Sequence, residues 1–211
     1  MSLLISEVEK YIFNLFNDKL DVNYTYHNLV HTQKVVEKVL ELSEDLKLDE
    51  TSIENLQIAA WFHDSGFIYG ANKHEDESIK ILKTFFKDKG INDIRIKEIS
   101  RLISATKMGY IPTNDLEKII SDADCAHLGS KSFEDKAELL RKEWETTENK
   151  VFSDSDWIAE NITFLTQSHK YYTDYALKNW SKGKEKNLAK LLKNQNKLKE
   201  GLKKFKQKKE T

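Results

Sequence analysis

A chain of 211 residues with a single proline, Pro112, and seven glycines has few places to turn. Proline and glycine are the strongest local breakers of regular structure. An all-β fold needs a turn about every 8–12 residues, and this chain is poor in the strongest turn formers. Long uninterrupted segments remain, which favour helices. Hydrophobic residues at 39% are enough for a core, and charged residues at 33% imply a densely charged surface. The length fits one domain, or one domain with an appendage.

The apolar spacing places the helices. Leu4, Val8, Tyr11, Ile12, Leu15 and Phe16 predict a helix over 3–19. A second runs from about 24 to 47, with Val35, Val36, Val39, Leu42 and Leu46 on one side. Thr51 and Glu54 read as a capping box that opens a third, ending at His63. A glycine-containing loop at 65–72 precedes a helix over 73–88. Ile96, Ile99, Leu102 and Ile103 mark 93–106, and Gly109 and Pro112 make 107–113 a loop. Asn114 and Glu117 cap 115–127, and three more helices fit 133–147, 154–169 and 171–207. With no internal repeat and no sustained alternation, the architecture is an all-α bundle.

The net charge of −1 hides an asymmetry. Residues 178–211 hold thirteen lysines and three glutamates, a balance of +10, which leaves −11 for residues 1–177. Such an end is either a solvated helix or an electrostatic contact for nucleic acid or an acidic partner. Leu188, Leu191, Leu192, Leu198 and Leu202 interleave with the lysines, so packing on the protein itself is the favoured reading. The lone cysteine, Cys125, cannot form an internal disulfide, which suits a reducing compartment. The opening residues MSLLISEVEKYIFNLF do not read as a signal peptide, and no apolar run approaches the ~20 residues of a membrane span. The expected location is cytoplasmic.

Chemistry concentrates in three places. His63-Asp64 ends an apolar segment, AAWFHDSGF, where a buried carboxylate needs a partner. A divalent cation is one; a helix cap with a satisfied histidine is the plainer alternative. His27 and His31, four apart, are expected on one face of a single helix. Asp122 and Asp124 end another apolar helix in IISDADCAHLG, and only one of them can face a shared ion. Imidazole and carboxylate donors together suit Mn, Fe, Co, Zn or Mg. Two histidines and two aspartates leave coordination positions open for water and substrate.

These ordered elements resemble the HD-domain superfamily of metal-dependent phosphohydrolases. YHNLVHTQKVV, LQIAAWFHDSGF and IISDADCAHLG match its histidine, its His-Asp doublet and its distant aspartate. KHEDESIKIL, ISATK and LLRKEWE extend the likeness to a subgroup of small predicted HD phosphohydrolases, over about 24–145. The resemblance implies an HD helical bundle over 1–145 and C-terminal helices over 146–211 that pack on it and end in a lysine-rich helix or tail. It implies one divalent metal on His31, His63, Asp64 and Asp124. Asp122 would orient a ligand or a water. His74 would contact the phosphate or the metal-bound water, or stand as an alternative ligand, as Ala105-Thr106 occupy the place where binuclear relatives carry further histidines.

The implied reaction is hydrolysis of a phosphate ester or nucleotide. Asp64, Glu75 or Asp76 would act as base, and Lys107, His27, Lys73 and Arg141 would meet the phosphate. Tyr24, Tyr26, Phe67 and Tyr69 would stack a base or wall the pocket, or simply belong to the core. Cys125 reads as an inert buried thiol. The competing functions are a nucleotide-sensing module without turnover and, less favoured, a helical nucleic-acid-binding protein using the basic end. Association into homo-oligomers is left open.

Overall fold

The computed structural model describes residues 2–87 and 89–209, with side chains through 201. The described residues form ten α-helices and three short helical turns joined by loops, with no strand among them. They are α1 (Leu3–Lys19), α2 (Leu29–Asp45), α3 (Glu50–Phe62), α4 (His74–Phe86), α5 (Asp93–Ser104), α6 (Asp115–Asp124), α7 (Phe133–Thr147), α8 (Asp154–Thr163), α9 (Asp174–Asn179) and α10 (Ser181–Lys209). None among the described residues is long and apolar enough to cross a membrane.

Helix α3 is the axle of the bundle. Leu56, Ile58, Ala59, Ala60, Trp61 and Phe62 are all buried, because α1, α2, α5 and α6 cover it on several sides. Val8 and Ile12 from α1, Val39 and Leu42 from α2, Ile99 and Ile103 from α5, and Ile119 and Ile120 from α6 complete this core. Tyr171, Ala176 and Trp180 join it from the C-terminal part. A smaller cluster of Leu128, Phe133, Leu165 and Leu191 ties α7 and α10 to the turn after α6.

Several boundaries differ from the sequence expectation. Helix α2 starts at Leu29, because the Asn28 side chain caps it and the backbone N–H groups of Tyr26 and His27 donate to the buried carboxylate of Glu143. His27 and His31 therefore do not share a helix. Helix α3 is capped by Asp49, whose Oδ1 accepts from Ser52 N at 3.0 Å, and not by Thr51. Glu54 turns instead to Ser2 and Arg95. The expected loop at 65–72 holds a 3₁₀ turn over Ser65–Tyr69. Helix α8 widens into a π turn over Phe164–Ser168, and the single helix expected over 171–207 is divided between α9 and α10 at Trp180.

Close backbone approach seats α10. A Cβ on Gly183 would come within 1.9 Å of Gly129 O. Leu191 is buried and Leu188 packs beside it, whereas Leu192 and Leu198 are exposed. The Leu202 side chain lies outside the described residues. Lys184 donates to His169 O, and Lys190 pairs with Glu134. The first half of the basic helix is thus docked on the protein.

Candidate metal centre and its cavity

Helices α3 and α6 both end at one place. His63 caps α3 and Asp64 follows it; Asp124 is the last residue of α6; His31 sits in the first turn of α2. The C-terminal end of a helix carries partial negative charge, so two such ends favour a cation between them.

Four donor atoms converge there. His31 Nε2 lies 3.0 Å from Asp124 Oδ1 and 3.4 Å from Asp64 Oδ2. His63 Nε2 lies 3.1 Å from Asp64 Oδ2, 3.6 Å from Asp124 Oδ1 and 3.3 Å from His31 Nε2. Donors bonded at ~2.1 Å to one ion stand about 3.0–3.4 Å apart. His31, His63 and Asp124 form a group able to hold a metal, and Asp64 is in reach of both imidazoles.

The hydrogen inventory makes the same point. His63 Nδ1 donates to Ala60 O at 2.7 Å, which leaves Nε2 a bare lone pair in the neutral ring. Asp64 Oδ2 is buried and has no hydrogen-bond partner. Lone pairs facing one another in a dry site are costly unless a cation or a proton lies between them. Burial opposes ionisation of Asp64 and Asp124, but the facing imidazoles outweigh it and hold both carboxyls well below the usual carboxylate range. Burial likewise opposes charging His63, and the two carboxylates reverse that and push its pKa up.

Asp122 does something else. Buried on α6, it accepts hydrogen bonds from Tyr172 N at 2.9 Å and from Thr173 N and Thr173 Oγ1, each at 2.7 Å. It anchors the chain entering α9, and its hydrogen bonds run to Tyr172 and Thr173 and not to His31 or His63. Burial raises its pKa despite these bonds.

His74 stands beside the other oxygen of Asp64. Its Nδ1 donates to Ala71 O at 3.0 Å, and its Nε2 lies 3.5 Å from Asp64 Oδ1 and 3.4 Å from Glu75 Oε1. Gly66 permits this approach: a Cβ there would meet His74 O at 1.9 Å. Ser78 clamps the same junction, accepting from Gly66 N and donating to His63 O.

The centre opens into a cavity of about 750 Å³ lined by His27, Asp64, His74, Glu75, Lys107 and Asp124, among others. His27 stacks on Phe67 at 4.2 Å, and its Nδ1 pairs with the buried Glu143. Burial opposes its charged form, but the Glu143 hydrogen bond wins and raises its pKa. Lys107 bridges to Asp76 at the cavity edge, and Asp76 does not line the cavity. Lys73 does not line it either; it takes a left-handed backbone at the start of α4, with φ of 57°. Arg141 is held by Glu145, Asp154 and Phe152 O, away from the metal centre.

Of the aromatics, Tyr26 and Phe67 line the cavity, whereas Tyr24 packs edge-on against Phe67 and Tyr69 is exposed. Burial pushes the Cys125 thiol well up, which keeps it protonated and inert. Two residues went unnoticed in the sequence. Glu143 was one acidic residue among many, although LLRKEWE held it. His127 meets Tyr26 Oη at 3.0 Å through Nδ1, and burial lowers its pKa to about 4.

Comparison with known proteins adds one finding. No curated protein and no solved structure matches the chain, but the HD domain family matches residues 28–161. That span covers well over half of the sequence and contains every donor of the centre. With His31, His63 and Asp124 gathered at one point of a helical bundle, the chain belongs to the HD domain family, within the superfamily of metal-dependent phosphohydrolases.

Proposed function

We propose that this protein is a hydrolase of small phosphate esters, with a divalent metal held by His31, His63, Asp64 and Asp124. The observation that supports it most is the unpartnered Asp64 Oδ2 facing the bare Nε2 of His63 at the floor of an open cavity. A divalent cation held there would polarise a phosphoryl oxygen and lower the pKa of a water.

The chain's own groups then divide the work. His27, kept charged by Glu143, binds a phosphate oxygen, as does Lys107 at the edge. The short span between Asp64 Oδ1, His74 Nε2 and Glu75 Oε1 gives a proton taken from water a place to rest, at His74 Nε2 or on Glu75. Phe67 fixes the ring planes of His27 and His74 by stacking on both. The lone, protonated Cys125 suits a reducing cytoplasm.

Purified protein with Mn, Co, Mg or Zn, offered a panel of phosphate monoesters and nucleotides, should release phosphate in a metal-dependent way. Bound metal with no turnover of any ester would reject the reading.

A further inference from the structure

The cavity is much larger than a phosphate group needs, and its far wall is apolar. Leu128, Phe133, Leu140, Trp144, Trp157 and Phe164 line it beyond the metal centre. Leu128, Phe133 and Trp157 are at most 7% exposed, so this is an interior wall and not a surface patch.

Several polar side chains that line the cavity are engaged by the protein. Asn161 donates to Trp157 O, Thr106 donates to Ile103 O, and Tyr26 pairs with His127. His169 Nδ1 accepts from Lys184 Nζ at 2.8 Å. A ligand rich in hydrogen-bonding groups would leave many of them unpaired here, at a cost for each. A hydrocarbon or aryl group makes no such demand on them.

The mouth carries the same preference. Met108 and Ile111 line the cavity and are each 75% exposed. They flank Gly109, whose φ of 77° turns the loop between α5 and α6. Two such exposed side chains at an opening offer apolar contact to an entering ligand. His27, Lys107 and the metal centre offer partners for an anionic head. Among the other charged residues in the lining, Glu160 and Lys170 are exposed, Lys136 is half-buried and Glu148 pairs with Lys150. This fits a ligand with an anionic head and an apolar body.

We infer that the substrate is a phosphate monoester of an apolar alcohol, its alkyl or aryl part lying against the wall formed by α7 and α8. This rests on the hydrolase reading for turnover, but the binding preference can be read without turnover. Manganese-loaded protein is titrated with ethylphosphonate, n-octylphosphonate and adenosine monophosphate, by calorimetry and by tryptophan fluorescence, to which Trp144 and Trp157 of the wall contribute.

Octylphosphonate should bind at least about tenfold more tightly than ethylphosphonate, since each fully buried methylene contributes about 0.8 kcal/mol and burial of about two of the additional ones is enough. Leu140→Asn, checked for helicity by circular dichroism, should reduce that ratio. Equal affinity for the two phosphonates would overturn the inference. So would tighter binding of adenosine monophosphate than of octylphosphonate, or a ratio untouched by Leu140→Asn. A preference for octylphosphonate without phosphate release from n-octyl phosphate under any metal would refute the hydrolase reading and leave only the binding preference standing.

Discussion

His63 Nε2 and Asp64 Oδ2, from consecutive residues, meet at 3.1 Å while His63 Nδ1–H is committed to Ala60 O, so Nε2 faces the carboxylate through a proton of its own or through a shared cation. A cation relieves that contact. Adding a chelator should therefore lower the melting temperature, and metal at about 100 times its Kd should restore about 2.7 kcal/mol. Asp64→Ala should remain helical and lose the response to metal. A melting point equally metal-sensitive in that variant would count against the ligand set.

Asp122 and Asp124 are two residues apart and face different tasks. Asp124→Asn should reduce metal stoichiometry, measured by atomic emission, with a modest change in folding. Asp122→Ala should bind metal but lose about 3 kcal/mol in urea unfolding, because the amides of Tyr172 and Thr173 lose their acceptor. The reverse pattern would exchange the two roles.

Glu143 raises the pKa of His27, so His27 stays charged to a higher pH than a free imidazole. Activity that needs this charge is present below the raised pKa and lost as pH rises through it. In Glu143→Gln the alkaline limb of the pH profile should move to lower pH, and KM for a phosphate ester should rise about tenfold. An unmoved limb would show that Glu143 serves only the backbone of Tyr26 and His27.

His169 shows the opposite sign. Burial and the neighbouring Lys184 lower its pKa to about 3. The unfolded chain, near 6.5, binds the proton first, so stability falls as pH drops from about 6.5 toward 3. His169→Gln should flatten the fall in melting temperature between pH 7 and pH 5. The same slope in both proteins would argue against a buried neutral His169.

Gly183 packs on Gly129 with no room for a methyl. Gly183→Ala should cost about 3 kcal/mol, read by thermal unfolding, despite the higher helix propensity of alanine. A stabilised variant would mean that α10 is not seated as described.

The helices were legible because their apolar spacing is set by local geometry. Leu4 to Phe16 gave α1 to the residue, and Asn114 capped α6 as expected. The places where legibility failed share a cause. Residues 24–28 carry no strong breaker, yet Glu143, more than a hundred residues away, takes the amides a helix would use. Asp122 likewise takes the amides of Tyr172 and Thr173, just before α9. A distant buried acceptor leaves no mark on local spacing.

The sequence by itself determined the all-helical class, the order of the four donor residues and the family to which they point. Periodicity and short motifs carry that much, because each is written within one or two turns of chain. Only the tertiary structure decided that Asp122 holds α9 while Asp124 faces the histidines, that His27 leans on Glu143, and that Arg141 lies elsewhere. Those outcomes depend on which buried polar groups meet across the fold, and on the energetic need for each to find a partner.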